Sequence, residues 1–239
     1  EVYRAPFPYL YRWPFSNKSD VVSCQYPCEP QSCVCNAAFE AFRQTVESQI
    51  GQDQVAGVII EPVTGEGGFM PVPPAFMRLL EQYCKENGIV FMLDEIQTGF
   101  GRTGRLFAAE HYGVDPDLLI LAKGLAGGMP LSAVTGRADI LESVGVGGAG
   151  GTYCGNPVSC AAALAALDQF ETTDALKHCR TLGTLLSKRL DDWMLKYDCI
   201  GDHRGLGPMR AVELVKDRAS KIPYKEAVSQ IIKYAYERG

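Results

Sequence analysis

The sequence has 239 residues, 46% apolar and 21% charged, with a formal charge of −5. That charge argues against a nucleic-acid surface, which is normally basic, and no apolar run is long enough to span a membrane. The length suits one large domain, or a domain and part of another.

Glu1-Val2-Tyr3-Arg4 lacks the basic start and apolar core of a signal peptide. Nine cysteines, an odd number unevenly spread, fit a reduced intracellular chain, with the cytoplasm as the expected compartment. There is no initiator Met, and Tyr236–Gly239 falls inside what reads as a helix begun near Pro223. The expectation is an internal piece of a longer chain.

Residues 3–15, dense in Pro, Tyr and Phe without a stable period, read as an extended connection over a surface. Cys24, Cys28, Cys33 and Cys35 follow, spaced C-x3-C, C-x4-C and C-x-C. Structural zinc sites use paired C-x2-C knuckles, so these are read as incidental reduced cysteines and no metal is expected. Phe39, Phe42, Val46 and Ile50 form one stripe of a helix over Ala37–Ile50. A strand over Val55–Ile60 ends in Glu61-Pro62, and the glycine-rich loop Val63–Gly68 then brings Glu66 to the same rim. Pro73–Asn87 reads as a helix, with Pro at its first turn and Gly88 at its stop. It makes a right-handed crossover into the next strand.

The apolar runs Ile89–Leu93 and Leu118–Leu121 read as strands buried on both faces. The first ends in Asp94; Lys123 stands just past the second. A lone charge there is costly outside a site, and in open α/β sheets the site lies beyond the carboxyl ends of the strands. The pattern continues through Leu131–Thr135, so a largely parallel sheet is expected. Gly99-Phe100-Gly101-Arg102-Thr103-Gly104 matches G-x-G-x-x-G, but four residues separate it from its strand and no apolar helix follows. It reads as a turn rather than a dinucleotide fingerprint.

Further on, Gly124 and Gly127-Gly128 keep the backbone slim after the lysine. Thr152 precedes a small-residue helix over Pro157–Phe170, where a hydroxyl and backbone N–H groups can meet a phosphate. Asp174–Tyr197 is a long amphipathic helix with Leu176, Cys179, Leu182, Leu186, Leu190, Trp193 and Tyr197 on its apolar stripe. Ile200–Val215 reads as a loop followed by a strand over Met209–Val215. His111, His178 and His203 share no spacing with a nucleophile or ligand.

A carboxylate and an amine at one rim are what pyridoxal 5′-phosphate (PLP) requires. The lysine holds the cofactor as a Schiff base and later moves the proton, while the aspartate keeps the pyridinium nitrogen protonated. The alternative is a structural salt bridge at a strand rim.

The run Leu93-Asp94-Glu95-Ile96-Gln97-Thr98-Gly99-Phe100-Gly101-Arg102-Thr103-Gly104, with Leu121-Ala122-Lys123-Gly124, resembles the class III (ω-amino acid) PLP-dependent aminotransferases. The likeness runs from about Pro8 to the last residue. It implies fold type I, an α/β fold with a mostly parallel sheet sandwiched by helices. Residues 1–172 would be part of the PLP-binding large domain; 173–239 would be a connecting helix and part of a smaller α+β C-terminal domain.

The resemblance further implies that Lys123 anchors the cofactor and acts as base, with Asp94 on the ring nitrogen. Ile96 would lie on the ring face, Gln97 at the phenolic oxygen, and Thr152 at the phosphate of the neighbouring subunit in a homodimer with shared sites. Glu61 would lie near the reacting amine, and Glu66 would pair with an arginine gating the substrate pocket. That arginine, the glycine/serine phosphate loop and the aromatic that stacks on the ring match nothing here. The implied reaction moves an amino group from an ω-amino acid to a 2-oxo acid such as 2-oxoglutarate. Alternatives are an ornithine-type transaminase, an aminomutase, or a non-catalytic scaffold or dimerisation module.

Overall fold

The computed structural model describes residues 1–13 and 34–239. Cys24, Cys28 and Cys33, and with them the question of zinc in that cluster, lie outside the described residues. Cys35 is buried in the first helix. Among the described residues no group of His, Cys, Asp and Glu could hold a metal ion.

Helix α1 (Val34–Gln49) buries Cys35, Ala38, Phe42 and Val46, a spacing of three and four that keeps one face inward. Helix α2 (Pro74–Glu86) begins with Pro in its first turn, where a missing N–H costs nothing. The Asn87 side-chain amide donates back to Tyr83 O at 2.7 Å, and Gly88 turns the chain out at φ +67°. The two helices meet through aromatic edges, with Phe42 and Tyr83 T-shaped at 5.6 Å and Phe39 and Phe76 at 6.2 Å. Burial of each such large side chain contributes roughly 1.5–3 kcal/mol.

This helical layer covers one face of a four-stranded sheet: β1 (Gly57–Ile60), β2 (Val90–Asp94), β3 (Leu118–Leu121) and β4 (Ala133–Gly136), in that order. Phe91 and Leu93 of β2 alternate into the helix-side core with Ile89, Leu80 and Tyr112. β1, β2 and β3 run parallel, with Ile60 opposite Leu93 and Asp94 opposite Ile120. β4 departs from the expected parallel continuation and pairs antiparallel to β3. The connection 122–132 holds a single 3-10 turn at Lys123–Ala126, and a parallel return needs a longer crossover.

On the other face, helix α5 (Pro157–Thr172) sits beneath the Lys123 turn. Ala163 packs with Phe100, Leu121, Leu125 and Ala126. Asn156 caps the helix, its Oδ1 accepting the Val158 and Ser159 N–H groups. Cover on this face is partial. Leu118 and Ile120 are only half-buried, so the expectation of strands buried on both faces is not met on this face of β3. The short helices α3 (Ala109–Tyr112) and α4 (Ala138–Glu142) fill the β2–β3 connection and follow β4.

Helix α6 (Ala175–Lys196) packs on a two-stranded hairpin, β5 (Ile200–Leu206) and β6 (Met209–Leu214), followed by α7 (Lys225–Tyr236). The stretch expected as a loop after Ile200 is thus a strand: its residues are paired residue for residue with β6 from Asp202 to Leu206. The packing hinges on Gly183, where an added Cβ would stand 2.5 Å from the Gly207 carbonyl carbon. The expected stripe of α6 is only partly covered. Leu190 is buried, whereas Leu182 and Trp193 are 50% and 43% exposed. No helix of the described residues is long and apolar enough to cross a membrane.

Candidate active site

Three parallel strands end at one edge, and each delivers a chemically active side chain there. Glu61 follows β1, Asp94 closes β2, and Lys123 stands two residues beyond β3. Pairing with β3 runs one step past Asp94, the Glu95 N–H donating to Ile120 O at 2.9 Å, so Asp94 leaves the sheet still inside the β2–β3 ladder. Its Oδ1 accepts the Ile96 N–H at 3.0 Å, which starts the turn carrying Ile96 and Gln97.

The lysine turn is built with strain. Lys123 has φ +44°, left-handed backbone that a side chain with a Cβ rarely adopts. Such conformations cost of order 1–3 kcal/mol and persist where neighbours enforce them. Here the enforcing contacts are Leu125 and Ala126 on α5 and the Phe100 side chain beneath Gly124, where a Cβ would stand 3.2 Å from Phe100 Cβ. Lys123 lines a cavity of about 350 Å³ with Ile96, Gln97, Gly99, Gly124, Arg102, Phe69, Pro208 and Met209. It makes no hydrogen bond or ion pair among the described residues. The cavity is open and Lys123 is exposed, so these residues alone do not shield the lysine from water.

The glycine-rich loop after β1 folds over this edge. Glu61 accepts the Gly65 N–H at 2.6 Å, and Thr64 braces the loop by accepting the Met70 N–H at 2.9 Å. The Gln97 amide donates to Glu66 at 3.2 Å. A Cβ on Gly65 would meet the Gln97 amide, so a larger residue there would displace the Gln97 side chain from its contact with Glu66. The structure therefore joins Glu61, Glu66 and Gln97 in one hydrogen-bonded loop pair, and Ile96, Gln97 and Lys123 around one cavity. Thr152 stands apart from both, on an exposed turn ahead of α5 that lines neither cavity nor loop.

Sequence reasoning missed Glu95. It is fully buried, its Oε2 accepting the Thr98 hydroxyl at 2.6 Å and the Ala108 N–H at 2.8 Å, its Oε1 the Ala109 N–H at 2.8 Å. Burial pushes its pKa up from the usual glutamate value, and the three hydrogen bonds pull against that rise. The signal was present. Strand alternation sends adjacent carboxylates to opposite faces, so one of Asp94 and Glu95 had to point inward. Phe69, Arg102, Pro208 and Met209 were also missed as cavity walls, because they come together only through tertiary packing.

Comparison with known proteins bears directly on this arrangement. The family model for class III aminotransferases matches residues 10–239. A probable 4-aminobutyrate aminotransferase of Bacillus subtilis is 41% identical over 239 residues, covering 100% of this chain and 52% of that protein. A 5-aminovalerate aminotransferase of Pseudomonas putida is 41% identical over 214 residues, covering 90% and 50%. Among solved structures, an amine transaminase from an uncultivated Pseudomonas species in its PLP-bound form superposes with a TM-score of 0.79 at 33% identity. That match covers 95% of this chain and 50% of the other. The chain spans about half the length of the curated relatives it matches. With a family match over nearly its whole length and a mostly parallel α/β sheet shared with solved transaminases, the chain belongs to the class III aminotransferases.

Proposed function

We propose that this chain carries the cofactor-anchoring half of a PLP-dependent ω-amino acid aminotransferase. The observation that carries the reading is the shared edge, where Asp94 and a Lys123 without a partner among the described residues emerge from neighbouring parallel strands. The residues fit the cofactor. Lys123 has no competing partner among the described residues, Asp94 has one oxygen committed to the Ile96 N–H and the other uncommitted, and the adjoining cavity is walled by Ile96 and Gln97. When bound, PLP supplies the electron sink that stabilises negative charge at the substrate carbon.

The chain's own residues then divide the work. Lys123 Nζ would hold the cofactor and, once free of it, would serve as the base that moves the substrate's proton. With the cofactor bound, Asp94 would keep its ring nitrogen protonated, Ile96 would line the ring, and Gln97 would offer a hydrogen bond to its phenolic oxygen. Glu61 faces the reacting amine, and Glu66 holds the substrate side of the pocket. Thr152, exposed on its turn, serves the cofactor phosphate of a partner subunit in a homodimer, which would also supply the water exclusion these residues lack. By likeness to the relatives the amino donor is an ω-amino acid such as 4-aminobutyrate or 5-aminovalerate, and the acceptor a 2-oxo acid. Residues 1–172 form the cofactor part and 173–239 the connecting helix and start of a smaller domain. The free cysteines Cys35, Cys84, Cys154, Cys160, Cys179 and Cys199 suit a reducing cytoplasm.

The test is the visible spectrum with added PLP, followed by borohydride reduction and peptide mapping. A yellow protein labelled at Lys123, with label and turnover abolished by Lys123→Ala, supports the reading. Label at another lysine, or turnover retained in the variant, overturns it. The exposure of Lys123 favours one second reading, a non-catalytic scaffold, for which the protein would stay colourless.

A further inference from the structure

We infer that Arg204, in the hairpin that follows α6, is a positioning residue for the Glu66 loop. The inference rests on the aminotransferase reading above for its functional meaning, though not for the contact itself. Arg204 Nε donates to Gly68 O at 2.9 Å, across 136 residues of sequence. Gly68 stands at φ +113° and closes the turn through its N–H to Gly65 O at 3.1 Å, so its carbonyl is the outer handle of the loop bearing Glu66. On the inner side that loop is held by Glu61 to the Gly65 N–H and by Gln97 to Glu66. The loop is thus gripped from the sheet edge and from the hairpin at once.

The grip is rigid because Arg204 is itself fixed. Its Nη1 donates to Glu213 at 2.8 Å and to Asp202 at 3.3 Å, carboxylates that face each other across the β5–β6 ladder. Its guanidinium lies over the Tyr9 ring, 4.9 Å from the centroid. Tyr9 donates its hydroxyl to Glu213, and Arg12 Nε donates to the same carboxylate at 2.6 Å. Asp202 is 5% exposed, and the Arg204 and Glu213 side chains 15% each. A planar guanidinium whose Nη1 is shared between two carboxylates and whose face lies on Tyr9 holds its Nε–H in one direction, which a lysine cannot reproduce. The hairpin and the amino-terminal segment therefore set where the Glu66 loop sits relative to Lys123.

Arg204→Lys keeps a cation beside Asp202 and Glu213 but removes the Nε donor, separating loop anchoring from the buried ion cluster. The first readout is amide hydrogen exchange resolved along the chain. Exchange of the Gly68, Phe69 and Met70 amides should rise about tenfold or more, the scale of losing one charge-assisted hydrogen bond. The ladder amides of Glu95 and Val90 should stay unchanged. Unchanged loop exchange, or an equal rise in the sheet, overturns the clamp. The second readout is steady-state kinetics of the PLP-loaded protein, where KM for the ω-amino acid should rise with kcat little altered; a fall in kcat at constant KM overturns the positioning role. If the wild type binds no PLP, the aminotransferase reading fails, while the exchange experiment still decides the clamp.

Discussion

Replacing Glu95 with Gln changes one oxygen of a fully buried side chain to an amide nitrogen. Both oxygens are committed as acceptors, Oε2 to Thr98 and Ala108, and Oε1 to Ala109. The Thr98 hydroxyl can rotate to accept from the new amide, but a backbone N–H at Ala108 or Ala109 cannot, so one buried donor is left facing another. The cost of leaving that buried donor unsatisfied is about 2–3 kcal/mol. For a chain of this size that lowers Tm by roughly 5–10 °C.

The pH dependence gives a second, independent reading. Burial raises the folded-state pKa of Glu95 above its unfolded value near 4.5, so the folded state binds the proton more tightly. The stability this contributes is fully present below the unfolded pKa and is lost as pH rises through the folded one. Gln does not titrate, so the difference in Tm between wild type and Glu95→Gln should narrow as pH rises through that window. Thermal melts by circular dichroism over a series of pH values measure both effects. An unchanged Tm in the variant, or a difference that widens with pH, refutes the account of Glu95 as a buried acceptor that pays to ionise.

Two further outcomes follow from backbone and hydroxyl contacts. Gly183→Ala forces a Cβ to 2.5 Å from the Gly207 carbonyl carbon, backbone that cannot swing aside. Overpacking of this kind costs about 1–3 kcal/mol, and hydrogen exchange should quicken in β5 and β6 before it does in β2. Tyr112→Phe removes a buried hydroxyl that donates to Pro62 O at 2.7 Å and ties the end of α3 to the loop after β1. A loss of about 1–2 kcal/mol in urea unfolding is expected, with the slope unchanged.

Much of the frame was legible because apolar period and punctuation agreed. Pro74 and Gly88 bounded α2 to within a residue, and Leu118–Leu121 appeared as read. The edge carrying Glu61, Asp94 and Lys123 was legible for the same reason, since each charge ends an apolar run. What escaped was set by contacts distant in sequence. The antiparallel turn of β4 depends on how little chain separates it from β3, a length that an apolar run does not encode. The strand at Ile200–Leu206, with its charges Asp202, His203 and Arg204, looks like a loop until β6 pairs with it and Arg204 finds Glu213 and Gly68. Glu95 was overshadowed by its neighbour Asp94, though alternation alone separates their faces.

The in-phase ending of β1, β2 and β3 makes the spacing of Glu61, Asp94 and Lys123 a matter of counting. A strand advances about 3.3 Å per residue and reverses its side chains at every step. Deleting one residue within Val90–Asp94 would therefore both retract the carboxylate and turn it to the opposite face, however conservative the remaining sequence. Within the connections, the stretches 71–89 and 110–117 hold none of these groups and can lengthen or shorten without moving the strand ends. Length variation among relatives of this chain should therefore fall in those connections and spare the strands, with the sheet acting as a ruler that sequence drift can decorate but not rescale.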